Sequence, residues 1–163
     1  MNLSEHIAAA HLRIKSAKHF VQTTPLEKST ALSQQLGCEV YLKCEHLQKT
    51  GSFKFRGALN KVLLMSKSER QRGIVAASSG NHGLGVALAA QLGHSHATIY
   101  TPETASIMKL NAINALGATI IKTSGDDCLI AEKTARLQAE KTINFSSPPT
   151  MISTLLLDKA PLA

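Results

Sequence analysis

Tryptophan is absent from this chain of 163 residues, and four phenylalanines with two tyrosines keep the aromatic fraction at 4%. Proteins that bind single-stranded nucleic acid stack bases on aromatic rings, and there is little here to stack on. The charge balance, 18 Lys plus Arg against 11 Asp plus Glu, leaves a net +7, which raises nucleic acid as a partner. The basic residues are dispersed, however, from Lys15 and Lys18 through Lys67, Arg70, Arg72 and Lys109 to Lys133 and Lys141, so no nucleic-acid partner is expected. Cysteine is scarce: Cys38, Cys44 and Cys128 are odd in number and scattered, which argues against a disulfide framework and for reduced thiols. No apolar run approaches the length of a membrane span, and the start from Met1 to His6 lacks a basic region followed by an apolar one. The expectation is a soluble, cytoplasmic protein with no membrane partner. The histidines form no H-E-x-x-H motif and His94-Ser95-His96 has no cysteine partners, so no metal site is expected. Internal repeats and low-complexity tracts are also missing.

What the chain does contain is a strand-helix rhythm. Helices are predicted from Ser4 to about Lys18, Glu27 to Leu36, Ser52 to Ser66, Asn81 to Leu92, Ala105 to Leu116 and Asp126 to Lys141. Strands are predicted at Val40 to Cys44, Ile74 to Ser78, Ala97 to Tyr100, Thr119 to Lys122 and Thr142 to Phe145. Short apolar strands alternating with helices of ten or more residues indicate an α/β fold, an open, twisted parallel sheet with helices on both faces. Right-handed crossovers then bring the loops that follow the strands to one edge, where ligands bind.

Two stretches carry chemistry. Residues 49–58, Lys-Thr-Gly-Ser-Phe-Lys-Phe-Arg-Gly-Ala, set Lys54 among a glycine turn, a hydroxyl and two rings. A lysine near its ordinary pKa of about 10.4 is protonated at neutral pH and attacks carbonyls poorly. Desolvation beside Phe53 and Phe55 disfavours the ammonium and frees the lone pair a Schiff base needs. The plainer reading makes Lys54 and Arg56 solvated charges at a helix start. The second stretch, Ala76-Ala77-Ser78-Ser79-Gly80-Asn81-His82-Gly83-Leu84-Gly85, reads as strand, turn and helix. Glycines allow close backbone approach and a helix start favours an anion. Its glycines are spaced G-x-x-G-x-G, which is not the dinucleotide fingerprint, and no P-loop lysine follows.

Together these stretches resemble the pyridoxal-phosphate enzymes of the tryptophan-synthase-β-like group, nearest the threonine/serine dehydratases and their serine racemase relatives. The resemblance runs from Thr24-Pro25-Leu26 through Tyr41 to Gln48, the Lys54 segment and the Asn81 loop to Leu116-Gly117-Ala118. It implies pyridoxal 5'-phosphate as cofactor, held by Lys54 as a Schiff base, with Lys54 later moving the Cα proton. Phe53 is implied beside the pyridine ring and Asn81 at the ring hydroxyl. Ser78, Ser79, Gly80, Asn81 and His82 are implied as the clamp for the substrate carboxylate, with Ser79 matching the racemases' second acid/base. Leu84 departs from the pattern, standing where many relatives have a polar residue. The implied reaction removes water and ammonia from a hydroxy amino acid to give a 2-oxo acid, and the implied assembly is a homo-oligomer. Serine racemisation, and a fragment without catalysis, stay open as alternatives.

The family resembled is roughly twice as long and has two α/β lobes. The expected organisation is therefore an N-terminal segment, 1–46, that belongs to the larger lobe; a small lobe, 47–145, with the Schiff-base lysine; and a tail, 146–163. That tail no longer resembles the family, whereas its codons read two bases further on permit the family's Gly-Gln-Gly-Thr segment. A frameshift near Phe145 to Pro148 is the expectation, and with it little or no turnover by the shortened chain. The N-terminal segment is expected to leave Ile7, Leu12 and Ile14 without apolar partners, inviting self-association.

Overall fold

The computed structural model describes residues 2–141 and 150–151. Its elements, in chain order, are α1 (Leu3–Ser16), β1 (Leu26–Lys28), α2 (Thr30–Leu36), β2 (Tyr41–Lys43), a 3-10 turn (Glu45–Leu47), α3 (Lys54–Leu64), α4 (Lys67–Arg72), β3 (Ile74–Ala77), α5 (Asn81–Leu92), β4 (Ala97–Pro102), α6 (Ile107–Ala115), β5 (Thr119–Thr123), α7 (Cys128–Lys141) and β6 (Thr150–Met151).

The sheet is parallel, in the order β5-β4-β3-β6. Alternation along its strands divides the core. Ile74, Ala76 and Ile99 lie in the large cluster that also takes in Val86, Ala89 and Ala90 of α5. Their neighbours Val75, Ala77 and Tyr100 pack with Ala131 and Ala135 of α7. Both faces are thus covered, which is why these strands are short and apolar rather than alternating with polar residues. Because β3, β4 and β5 are sequential neighbours joined by α5 and α6, the segments after them, 78–80, 103–106 and 124–127, all leave the same edge of the sheet.

The expected parallel α/β architecture is therefore present, with several local corrections. The strand predicted at Val40 to Cys44 does not join the parallel sheet. It supplies β2, which pairs antiparallel with β1 in a separate ribbon, Leu26 opposite Lys43 and Lys28 opposite Tyr41. That pairing takes residues 26–28 away from the helix predicted to start at Glu27, and the helix begins instead after Ser29, whose side chain accepts from the Leu32 N–H. The helix predicted over Ser52 to Ser66 ends at Leu64, and Ser66 opens α4 through a reciprocal capping box with Glu69. The strand predicted at Thr142 to Phe145 lies outside the described residues.

The N-terminal expectation also needs correction. Ile7 and Leu12 are 39% and 63% exposed, as anticipated, but Ile14 is 6% exposed and joins Ala17 and Val21 in the main core. It does so because α1 lies against α3, where the Arg13 guanidinium donates to Asn60 Oδ1 at 2.9 Å.

Two features fix α3, the helix that begins with Lys54. Gly85 of α5 has no room for a side chain: a Cβ there stands 3.1–3.2 Å from the backbone of Lys54 and Phe55. At the far end of α5, a Cβ on Gly93 stands 2.3 Å from Val62 Cγ1. Since Gly85 meets the start of α3 and Gly93 its later part, the two helices advance in the same direction.

The second feature is a buried ion pair. Arg56 Nε and Nη2 donate to the two oxygens of Glu45 at 2.9 and 2.7 Å, and Nη2 also donates to the Gln22 carbonyl at 3.0 Å. Thr24 Oγ1 donates to Glu45 Oε1 at 2.6 Å, and Lys43 Nζ to the Thr24 carbonyl at 2.9 Å. Gln48 reads the Gln22 backbone at both its N–H and C=O. The plainer reading of Arg56 as a solvated charge is therefore wrong: it is 4% exposed. Burial pushes the Glu45 carboxyl up, but hydrogen bonds from Arg56 and Thr24 and the charges of Arg56 and Lys43 outweigh it, and its pKa lies below the ordinary carboxylate value.

Three outcomes are expected. Gly85→Val forces β-branched bulk against backbone that cannot swing aside, and destabilises the chain by about 1–3 kcal/mol in urea denaturation. Arg56→Ala strands the buried Glu45 carboxylate and costs about 3 kcal/mol in the same measurement. Glu45 has a depressed folded pKa, so its contribution is complete above the ordinary carboxylate pKa of about 4.3 and is lost as pH falls through the lower folded value. A series of melting curves from pH 6 downward, in ~half-unit steps, reads that loss, and Glu45→Gln flattens part of the slope.

Candidate functional site

Lys54 is the first residue of α3 and is half-buried. Its Nζ lies 4.8 Å from the centroid of the Phe53 ring, within cation-π range. The two rings expected to flank this amine play different parts. Phe53 is 38% exposed and faces it, whereas Phe55 is fully buried in the main core and seats the helix.

The second stretch is laid out by β3 and α5. Ser78 follows the strand, its N–H donating to the Tyr100 carbonyl at 2.8 Å. Its hydroxyl accepts from the Gly80 and Gly83 amides at 3.1 and 2.8 Å, which closes the loop onto the first turn of α5. A serine hydroxyl has two acceptor lone pairs and one proton. Both lone pairs are engaged, so what Ser78 can still offer is the proton, the part an anion requires. Ser79 and Asn81 are exposed, Gly80 is half-buried, and His82 is 5% exposed. Gly83 allows the loop to lie close to the sheet: a Cβ there stands 3.1 Å from side chains of Ile99 and Ile113 and 3.2 Å from Ser78 Cβ.

The parallel course of α3 and α5 brings the two stretches together. Gly85 sits at the level of Lys54, so Asn81, four residues earlier, extends beyond that level by about one turn, roughly 6 Å. Helical side chains lean toward the N-terminus of their helix. Lys54 therefore leans toward the level of the 78–82 loop. The positive ends of both helix dipoles also point to this side.

Sequence reasoning missed residues that the sheet edge adds to this loop. Cys128, at the start of α7, donates its thiol to Ser79 Oγ at 3.4 Å. Lys109, in the first turn of α6, covers Gly80: a Cβ on that glycine stands 3.0 Å from Lys109 Nζ and 3.3 Å from its Cδ. In the sequence Cys128 is one of three scattered cysteines and Lys109 one of many dispersed cations. Their only available signal is that each follows a strand predicted to end at the same edge. Leu84, the departure from the family pattern, is half-buried and packs against the main core. The His94-Ser95-His96 turn stands apart from this loop, with His96 Nε2 hydrogen-bonded to Thr119 Oγ1 at 3.0 Å. Among the described residues no cluster of His, Cys, Asp and Glu is suited to a metal ion, and no helix is long and apolar enough to cross a membrane.

Comparisons with known proteins place the chain among its relatives. An L-threonine ammonia-lyase of Thermotoga maritima is 51% identical over 107 residues, 66% of this chain and 27% of that protein. The crystal structure of a serine racemase from Dictyostelium discoideum superposes with a TM-score of 0.79 at 32% identity, covering 98% of this chain and 50% of that one. The processed form of threonine deaminase isoform 2 from Solanum lycopersicum gives a TM-score of 0.79 at 31% identity, covering 96% of this chain and 46% of that one. The chain thus spans half or less of the length of these relatives. Residues 17–154 match a family model, so the match enters the 146–163 segment. On these grounds the chain belongs to the family of pyridoxal-phosphate dependent enzymes.

Proposed function

We propose that this chain carries the lysine-bearing part of a pyridoxal-phosphate dependent ammonia-lyase, which removes water and ammonia from threonine or serine to give a 2-oxo acid. The observation that carries the reading is the pairing of Lys54, at the head of α3, with a serine-asparagine loop at the head of the parallel helix α5. The residues present suit the cofactor. Thr50 Oγ1 and Ser52 Oγ, on the turn leading into Lys54, are buried and have no hydrogen-bond partner among the described residues. Orphaned hydroxyls of this kind cost free energy unless a polar ligand or water meets them, and the Phe53 face offers a flat apolar surface beside the amine.

Lys54 would hold the cofactor through its amine, with Phe53 along the ring and Asn81 at its edge. When bound, the cofactor supplies an electron sink that makes removal of the Cα proton feasible. The chain's own residues orient and move protons. Ser78 donates its remaining proton toward a carboxylate, and the head of α5 adds a favourable dipole. Lys54 would be the group that takes the Cα proton. Ser79 Oγ accepts from the Cys128 thiol and keeps its own proton available, so it is suited to the second proton transfer that racemisation requires.

The test is covalent. After incubation with pyridoxal phosphate and borohydride reduction, peptide mapping is expected to find the label on Lys54, and Lys54→Ala to lose it. Label spread over the surface lysines, or unchanged in Lys54→Ala, overturns the reading. Formation of 2-oxobutanoate from threonine, followed in the same preparation, then separates catalysis from binding alone.

A further inference from the structure

We infer that the free edge of β5 is a self-association surface, through which two copies of this chain join their sheets about a two-fold axis. β5 is the outer strand of the parallel sheet. On one side it pairs with β4, from Thr98 opposite Thr119 to Pro102 opposite Thr123, and among the described residues no strand pairs with its other side. Alternate residues therefore aim N–H and C=O groups outward with no ladder to meet them. Most of its side chains are exposed, Ile121 by 38%. The devices that normally blunt such an edge are few here: the strand has no proline and no break in register, and its one charge is Lys122. Beside it, a cavity of about 840 Å³ opens between the strand and α6, lined by Ile107, Leu110, Asn111, Asn114 and Ile120.

The occupant follows from the order of residues along the edge, Thr-Ile-Ile-Lys-Thr. Ile121, beside Tyr100, lies on the face covered by α7, and Ile120, beside Ile99, on the face covered by α5 and α6. A two-fold axis perpendicular to the sheet keeps each face continuous, so only registers centred on a residue set paired side chains on the same side. Centring on Lys122 puts two ammonium groups opposite each other. Centring on Ile120 runs Thr123 against Gly117, whose φ of 80° is not extended. Centring on Ile121 pairs all five residues: Ile121 meets its own copy, Thr119 meets Thr123, and Lys122 meets Ile120, on the face where Asn111 and Asn114 of the second copy line the cavity. β-Branched pairs and threonine pairs of this kind stabilise an antiparallel ladder. Lys122 thus excludes one competing register without blocking this one. A strand of unrelated sequence finds the same outward amides, and it is the self-matched order of side chains that singles out a second copy.

The pairing is compatible with the candidate site. Because the two sheets run antiparallel, their 78–82 loops leave opposite edges of the joined sheet and neither covers the other. About ten residues a side take part, fewer than the roughly 20–30 of a standard interface, so association is expected at about ten to a hundred micromolar. Each copy carries +7, so added salt, which screens that repulsion, is expected to strengthen the dimer.

The test follows the mass of the whole chain by analytical ultracentrifugation across concentration, with amide hydrogen exchange on the same samples. Mass is expected to rise toward that of a dimer, and residues 119–123 to gain protection as it does. Ile121→Lys sets like charges opposite each other and is expected to raise the dissociation constant about tenfold or more. Ile121→Glu is expected to do the same, and an equal mixture of the two variants to recover the dimer, a rescue that a misfolded variant does not give. A monomer at every concentration, a dimer that Ile121→Lys leaves intact, or a mixture that stays monomeric overturns the inference. Protection that grows on another surface, such as the Ile7 and Leu12 side of α1, and not at 119–123, overturns it as well.

Discussion

A guanidinium buried two residues after the candidate catalytic lysine must be neutralised, and the carboxylate that does so lies on the far side of the Gln48 to Ser52 turn. The Arg56 to Glu45 pair is bidentate, and Thr24 and the Gln22 carbonyl add one further hydrogen bond to each partner. These bonds offset part of the cost of burying two charges, and loss of either partner would leave the other buried and unpaired. Here the pair ties residues 22–24, the 3-10 turn and α3 into one unit. The orientation of the first turn of α3, and with it the direction of Lys54, follows from it.

The other constraint is steric. Helix α5 is apolar nearly all round because it lies between α3 on one side and β4 and α6 on the other, and its small residues set how near the neighbours come. Gly85 and Gly93 admit the backbone and side chains of α3, and Gly83 admits Ile99 and Ile113. Close, parallel contact is what aligns the heads of the two helices. An amphipathic α5 with larger residues would stand further from α3 and leave the lysine and the serine loop out of reach of one substrate. Positioning in this site is thus paid for in glycine, the residue that costs most conformational entropy on folding.

Much of this was legible in the chain itself. The strands Ile74 to Ser78, Ala97 to Tyr100 and Thr119 to Lys122 are apolar runs at parallel-sheet length, and they formed with ends shifted by a residue or two. The 78–85 turn announced itself by glycine and hydroxyl content after a strand. Residues 26–28 were not legible, because a three-residue ribbon depends on a partner strand thirteen or more residues away and overrides local helix preference. The start of α4 was overlooked although Ser66 and Glu69 carry a readable capping box. Ile14 was assigned to a missing neighbour, yet α1 found the flank of α3 instead.

The sequence by itself determined the α/β class and the sheet edge at which the 78–82 loop lies, and it singled out the lysine and loop of the candidate site, because these depend on periodicity and on residue types at fixed local spacing. Only the tertiary structure decided that Arg56 is a buried strut rather than a solvated charge, that Phe55 belongs to the core while Phe53 faces Lys54, and that Lys109 and Cys128 border the loop. Those outcomes depend on which segments distant in sequence pack together, and a residue's burial and partners are properties of that packing, not of its neighbours in the chain.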